Sequence, residues 1–539
     1  VSLLREVAFL ALFAVFITLL RRVVLSRMSR YHEESPAFKN EDVELTATTK
    51  TNTFNSKLAA TANAMRRQSH VWRSIILSTQ NETYKPYCVY IRVLDFRNLS
   101  NMLEDFKFKD EIRSDFFAGA MERFHKPERK RPTKMRTFNY LNAPPIIDAI
   151  GSAITNKSVH LEELDGPLNH DLLPCWISNK PHLKSLILFR GDALSEEAGV
   201  ALRNGSQNFK NLTILEWRHP DADKVFSAFL KSLNLHTLEY LEMIGGNSLG
   251  ELSFDALATQ AMSLRELKLN DLPEDAVKNL HKLRACSSMH TLSIEDGTRG
   301  RVHLEQNHND VFLEVVAWLS ACGRLRDLSI KNLFDGPAIL ARALSSRTIQ
   351  LERLSLEGYE ISLDSATAFH AALSDQRPLK TLELKGSCEE ATPNHSAILT
   401  DALCNLPQLK TLRLKDISED FEETHITQLA FGLPMLEDFW TSGQILGRDV
   451  LDVLASMKHL KTLNLYALTQ FTCEDILSFI ARLDKNVQRG FSLNIMAQDN
   501  EYNLTEEEQT LIREVLAAEV EGRLDFVVWR DDEWNSDDD

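Results

Sequence analysis

Leu379-Lys380-Thr381-Leu382-Glu383-Leu384 is the stretch that decides the fold, because versions of it recur from about residue 161 to the C-terminus. The clearest copies are Leu183/Leu186/Leu188, Leu264/Leu267/Leu269, Leu325/Leu328/Ile330, Leu351/Leu354/Leu356, Leu409/Leu412/Leu414 and Leu460/Leu463/Leu465. Looser copies use Leu212/Leu215/Trp217, Leu238/Leu241/Met243, Met289/Leu292/Ile294 and Leu436/Phe439; Leu161/Leu164 opens the series and Leu493/Ile495 closes it. Equivalent positions lie 22 residues apart at the closest, Leu161 to Leu183, and 36 at the widest, Met289 to Leu325. That is solenoid spacing.

Each unit has two halves. The alternating L-x-L core sends two side chains to one face of a short strand. The next residues return with helical spacing, as in Val311, Val315, Val316 and Leu319, or Val450, Leu451, Leu454 and Ala455. One strand and one helix cannot bury both apolar faces, so every unit needs its neighbours. The pattern resembles the leucine-rich repeat family, in the longer strand-helix form of ribonuclease inhibitor. That resemblance implies an α/β solenoid, a horseshoe or arc of about 12 to 13 irregular repeats, with a parallel concave sheet and outer helices. The asparagine that many such repeats place after the strand is missing from most units; Asn270 is an approximate match.

A formal charge of -16 and a pI near 5.5 argue against broad nucleic-acid binding. The cysteines, Cys88, Cys175, Cys286, Cys322, Cys388, Cys404 and Cys473, are dispersed without a C-x-x-C pair, so neither a disulfide scaffold nor a zinc cluster is indicated. There is no phosphate-binding loop of the G-x-x-x-x-G-K-S/T form, no H-E-x-x-H and no G-x-S-x-G turn. His303 and His308 have no companion metal ligands. The reading is non-enzymatic, with no cofactor and no metal.

Five segments are expected: 1–27, an apolar segment; 28–56, a flexible polar linker; 57–150, an N-terminal junction and cap; 151–530, the repeats; and 531–539, an acidic tail. Residues 7–20 are uncharged and largely apolar, flanked by Arg5-Glu6 and Arg21-Arg22. As a helix they would reach about 21 Å against a hydrocarbon core of roughly 30 Å, a deficit that snorkelling arginines reduce. Three readings stand: a short transmembrane anchor, a signal-like segment, or sequence outside the natural product, since the chain begins with Val1 and its first methionine is Met28.

Further on, Ser69-His70-Val71-Trp72-Arg73-Ser74-Ile75-Ile76-Leu77 is succeeded by Tyr90-Ile91-Arg92-Val93-Leu94-Asp95-Phe96. The pair resembles the junction in fungal F-box proteins with leucine-rich repeats, where a short W-R segment leads into a Y-x-R-V-L-D-like stretch. The resemblance implies the substrate-recognition part of an SCF-type ubiquitin ligase, with its adaptor and cullin as partners and Trp72 as adaptor contact or junction anchor. The L-P-x-E-x-L-x-x-I opening of that family is not found upstream. The segment Lys126-Pro127-Glu128-Arg129-Lys130-Arg131-Pro132-Thr133-Lys134-Met135-Arg136 reads as an exposed basic loop and candidate nuclear signal.

Residues between the apolar strand positions face away from the core. That places Phe189, Tyr240, Lys385, Arg413, Lys415, Trp440 and Tyr466 on the concave face as candidate contacts for a protein substrate, along with Ile214 and Glu216. Lys380, Lys385, Lys410, Arg413 and Lys415 form a candidate basic cluster for steering an acidic partner. The expected function is a non-catalytic protein-interaction module, monomeric on its own and cytoplasmic or nuclear. Its alternatives are a scaffold tethered to membrane through residues 7–20 and a GTPase-activating-type repeat protein.

Overall fold

The computed structural model describes residues 47–126, 129–131, 138–219, 221–387, 392–418, 421–469, 471–498 and 503–529, with side chains from Asn63 onward except at 129–131, 138–140, 387, 443–445, 467–469, 497–498 and 529. Two compact units divide the chain, residues 1–65 and 66–539. The described part of the first is the start of a helix spanning Ala47–Ser78, which begins within the stretch assigned to the linker.

The strands of the second unit are β1 (Val93–Asp95), β2 (Arg129–Arg131), β3 (Phe138–Tyr140), β4 (Glu163–Gly166), β5 (Ser185–Arg190), β6 (Asn211–Glu216), β7 (Tyr240–Met243), β8 (Glu266–Leu272) and β9 (Thr291–Asp296). The series continues with β10 (Asp327–Lys331), β11 (Arg353–Glu360), β12 (Thr381–Ser387), β13 (Thr411–Lys415), β14 (Asp438–Leu446), β15 (Thr462–Thr469), β16 (Ser492–Gln498) and β17 (Arg523–Trp529). Fifteen of them form one sheet in the order β1, then β4 through β17, while β2 and β3 make a separate antiparallel pair. Every pairing in the large sheet is parallel, with helical segments between most successive strands. This is the leucine-rich repeat solenoid, a sheet on one side and helices on the other.

The core is set by register. Leu164, Leu186, Leu212, Leu241, Leu267 and Leu292 lie opposite one another on successive strands, and the row continues through Leu328, Leu354, Leu382, Leu412, Phe439, Leu463, Leu493 and Leu524. All are buried. A second buried row carries Leu188, Ile214, Met243, Leu269, Ile294, Ile330, Leu356, Leu384 and Leu414, with Thr441 its polar member. Burying one such side chain contributes about 1.5–3 kcal/mol, and it does so only while the neighbouring repeat is in place.

One frame differs from expectation. Ile214 is fully buried and Leu215 half-exposed, because the core triplet in β6 is Phe209/Leu212/Ile214 rather than Leu212/Leu215/Trp217. Both triplets are apolar, so composition alone did not separate them; pairing of Ile214 with Leu188 and Met243 does.

Polar side chains close the gaps between repeats. Gln260 Oε1 accepts from the Thr237 and Leu238 amides, Gln376 Oε1 from Leu351 N, and Gln488 Nε2 donates to the Met457 and Leu460 carbonyls. All three are buried, so each satisfies backbone groups that water cannot reach. Asp223 caps the next repeat's helix, accepting from the amides of Gly250, Leu252 and Ser253. Asp271 near the end of β8, Asn332 just after β10 and Asp416 just after β13 adopt left-handed backbone (φ 52°, 55° and 52°), and Gly358 does so at 76° at the register shift inside β11. Aspartate and asparagine tolerate that region, which is how the turns manage without a regular asparagine.

At the N-terminal end, Phe108, Phe116 and Phe117 form an edge-to-face cluster, and Arg97 bridges Asp95 of β1 and Asp165 of β4. The insertion ahead of β10 is pinned down. Asp296 accepts from Thr298 N and Oγ1 and from Gly300 N, while Asp335 accepts from Leu304 N.

The transmembrane expectation is corrected: among the described residues no helix is long and apolar enough to cross a membrane. The apolar run 7–20, most of the linker, the acidic tail and much of the basic segment lie outside the described residues. Within that segment Arg129–Arg131 pairs with Phe138–Tyr140.

Candidate functional site

The exposed face of the sheet changes chemistry along its length. Between the two core positions the strands present Glu242, Lys268, Ser293, Ser329 and Ser355, then Glu383, Arg413, Trp440, Asn464 and Asn494. The row just beyond the second core position is more varied. It opens with Phe189, Leu215 and Ile244, alternates sign through Glu295, Lys331, Glu357 and Lys385, and closes with Tyr466, Met496 and Val527.

The basic residues that stood out in the sequence are each neutralised by the adjacent strand or the residue before it. Lys380 meets Glu352 at 2.8 Å, Lys385 meets Glu357 at 2.7 Å and Lys410 meets Glu437 at 2.8 Å. Arg413 meets Asp438 at 2.9 Å and Lys415 meets Glu383 at 2.8 Å. The hydrogen bond to Glu357 holds the Lys385 ammonium above its usual pKa despite some burial. Burial works against Arg413, but the Asp438 bond and the charges of Asp438 and Glu383 win and raise it. The face is therefore a lattice of alternating charge, not a positive patch, and offers little net field to steer an acidic chain.

Three of the candidate residues come together. Lys415 Nζ sits 5.5 Å from the Trp440 ring centre, and the Trp440 and Tyr466 rings lie 4.5 Å apart with an interplanar angle of 30°. Neighbouring strands make this stack: Trp440 is opposite Arg413 on one side and Asn464 on the other, and Tyr466 lies diagonally two residues on. Asn494 Nδ2 donates to Asn464 Oδ1 at 2.7 Å, which fixes the polar floor beside the rings. Trp440 and Tyr466 are half-buried, supported below and open above.

The others lie apart. Tyr240 donates its hydroxyl to Glu242, and Lys268 stands 5.1 Å from its ring centre. Burial, then that carboxylate, raise the phenol well above its ordinary pKa, so it stays a donor. Phe189, next to last in β5, has 46% of its surface exposed. Trp72 is 8% exposed, on the helix face against Asn98, to whose Oδ1 its Nε1 donates at 3.4 Å; within this chain it is a packed anchor. Sequence reasoning missed Leu215, Ile244, Met496 and Val527 as surface residues, although the position after the second core leucine could have found them.

Among the described residues no group of three or more His, Cys, Asp or Glu side chains is placed to hold a metal ion. Burial pushes the Cys286 and Cys322 thiols up to about 12, so neither supplies a thiolate near neutral pH. What the face can do chemically is present shape, rings and paired charge to another surface.

No family model matches the chain, and no curated protein matches it. Among solved structures it is similar to the TLR13–ssRNA13 complex, at 14% identity and a TM-score of 0.39, over 70% of this chain and 51% of that one. It is also similar to an internalin from Listeria monocytogenes, at 15% identity and a TM-score of 0.31, over 63% of this chain and 93% of that one. The chain thus spans about half the length of the first.

Proposed function

We propose that this protein is a non-catalytic protein-interaction module that holds a protein partner on the exposed face of its sheet. The observation that supports it is the Lys415/Trp440/Tyr466 stack, continued in register from Tyr466 to Met496 and Val527. Aromatic rings seated on strands are already ordered, so a partner gains their area at little further entropy cost. Phe189, Tyr240, Lys385 and Arg413 are the outlying contacts. Affinity capture with the tagged full chain tests this. The variant carrying Trp440→Ala and Tyr466→Ala loses its protein partners while its circular dichroism is unchanged; retention of every partner would rule out the stack as the anchor.

The finer reading is the substrate-recognition part of an SCF-type ubiquitin ligase. It is supported by the resemblance of residues 69–96 and by the continuity of that segment with the sheet, since β1 bonds directly to β4. The same capture decides it: a ligase adaptor and cullin recovered in stoichiometric amount support this role, and their absence removes it.

A further inference from the structure

The opposite end of the exposed face carries an apolar terrace, in which Leu215 and Ile244 join the Phe189 that the sequence placed there. Ile187 and Phe189 lie on β5, Leu215 on β6 and Ile244 directly after β7, with Phe189 46% and Ile244 45% exposed and the other two half-buried. Leu188 pairs with Ile214 and Arg190 with Glu216, which sets Phe189 beside Leu215. Ile244 N bonds to Ile214 O and Gly245 N to Leu215 O, which carries the row on to Ile244. An exposed apolar run of this kind on a polar sheet marks a contact surface.

The charges around the terrace are unbalanced. Arg190 is held by Asp192 and Arg218 by Asp271, so both local arginines are spent. Glu216, Glu242 and Glu266 have no ion-pair partner among the described residues, and Lys268, turned over the Tyr240 ring, is the base between them. The rim is therefore negative, unlike the paired lattice further along.

Spacing selects the shape of the occupant. Strands stand about 4.8 Å apart, so the terrace presents an apolar group at that interval along the solenoid axis. A helix laid across the strands offers one apolar side chain per turn of about 5.4 Å, whereas an extended peptide repeats a face only every ~6.7 Å. We infer that the Phe189/Leu215/Ile244 terrace is a docking site for a basic amphipathic helix of the protein partner, its apolar stripe on the terrace and its lysines or arginines against Glu216, Glu242 and Glu266. This rests on the protein-interaction reading above and adds a second, chemically distinct contact to it.

The test is fluorescence anisotropy with the full chain and a labelled Leu/Lys amphipathic helix of about 18 residues, some five turns. A Leu/Glu peptide of the same pattern and a scrambled Leu/Lys peptide serve as comparators. The Leu/Lys helix binds at least about tenfold more tightly than either, a gap of about 1.4 kcal/mol. Phe189→Ser with Ile244→Ser removes that advantage, while Leu252→Ser, a change of similar exposure on the helix Glu251–Leu257, does not. Ile244→Lys weakens the Leu/Lys helix and strengthens the Leu/Glu one, a gain that misfolding cannot produce. No binding by the wild-type chain, equal binding of all three peptides, or indifference to the terrace variants would each overturn the proposal. Partner capture that still depends on Trp440 and Tyr466 in that event would show that the terrace alone had failed.

Discussion

On its buried side the sheet repeats nearly one residue type from end to end; on its exposed side it passes from apolar to ion-paired to aromatic. The row from Leu164 to Leu524 has a single non-leucine member, Phe439, whereas the parallel exposed row runs from Phe189 through Glu357 and Lys385 to Tyr466 and Val527. The difference lies in what each row must satisfy. A core position is enclosed by its counterparts in two neighbouring repeats and must fill the same volume in each, so a change in one is felt by three. An exposed position needs only to tolerate water, and is free to record what the face has to meet.

The contrast can be broken most easily where it is steepest. Leu354→Ala, at a position 1% exposed, lowers unfolding stability by about 2–5 kcal/mol, while Ser355→Ala on the other face of the same strand changes it by less than ~0.5 kcal/mol. Urea titration of the two variants reads this directly, and equal shifts would mean that the buried row is not the source of cohesion. A polar group on the buried side gives the next effect. His370 is 1% exposed, its Nε2 lies 2.6 Å from the Tyr359 hydroxyl, and burial, helped by His395, lowers its pKa to about 4. Between about pH 6.5 and 4 the unfolded chain takes up a proton that native His370 refuses. Stability therefore falls as pH drops through that window, by on the order of 3 kcal/mol. In His370→Gln the same acid titration is flatter, and an unchanged slope would place the acid sensitivity elsewhere. The smallest effect belongs to the paired lattice: Lys385→Ala costs less than about 1 kcal/mol, and the loss shrinks further in high salt. A larger, salt-independent loss would make those pairs structural rather than a solvated face.

Much of the fold could be read because core positions advertise themselves. Leu382 and Leu384 recur in kind from repeat to repeat, and the pairing of β12 with β11 and β13 is determined once the leucines are aligned. The reading slipped in β6, where Leu215 is apolar for the sake of the surface and so imitated a core residue. The site was less legible, because its meaning is made between strands. Lys410 and Arg413 read as bases in isolation, but their partners, Glu437 and Asp438, come from the next repeat. Trp440 and Tyr466 were each visible, yet their stacking depends on a diagonal that no single repeat contains. The glutamines at 260, 376 and 488 are buried, yet nothing in their local sequence distinguishes them from solvated residues.

Strand order in the sheet also bears on how the molecule is made. From β5 onward every strand bonds only to those immediately before and after it in the chain. No contact in the sheet has to wait for a far end of the polypeptide to arrive, so each repeat can be laid down on its predecessor as it leaves the ribosome, for the entropy of closing one short loop at a time. The same wiring gives damage a boundary: a repeat that fails in the middle would leave two stacks that melt separately, each as long as its own run of intact neighbours.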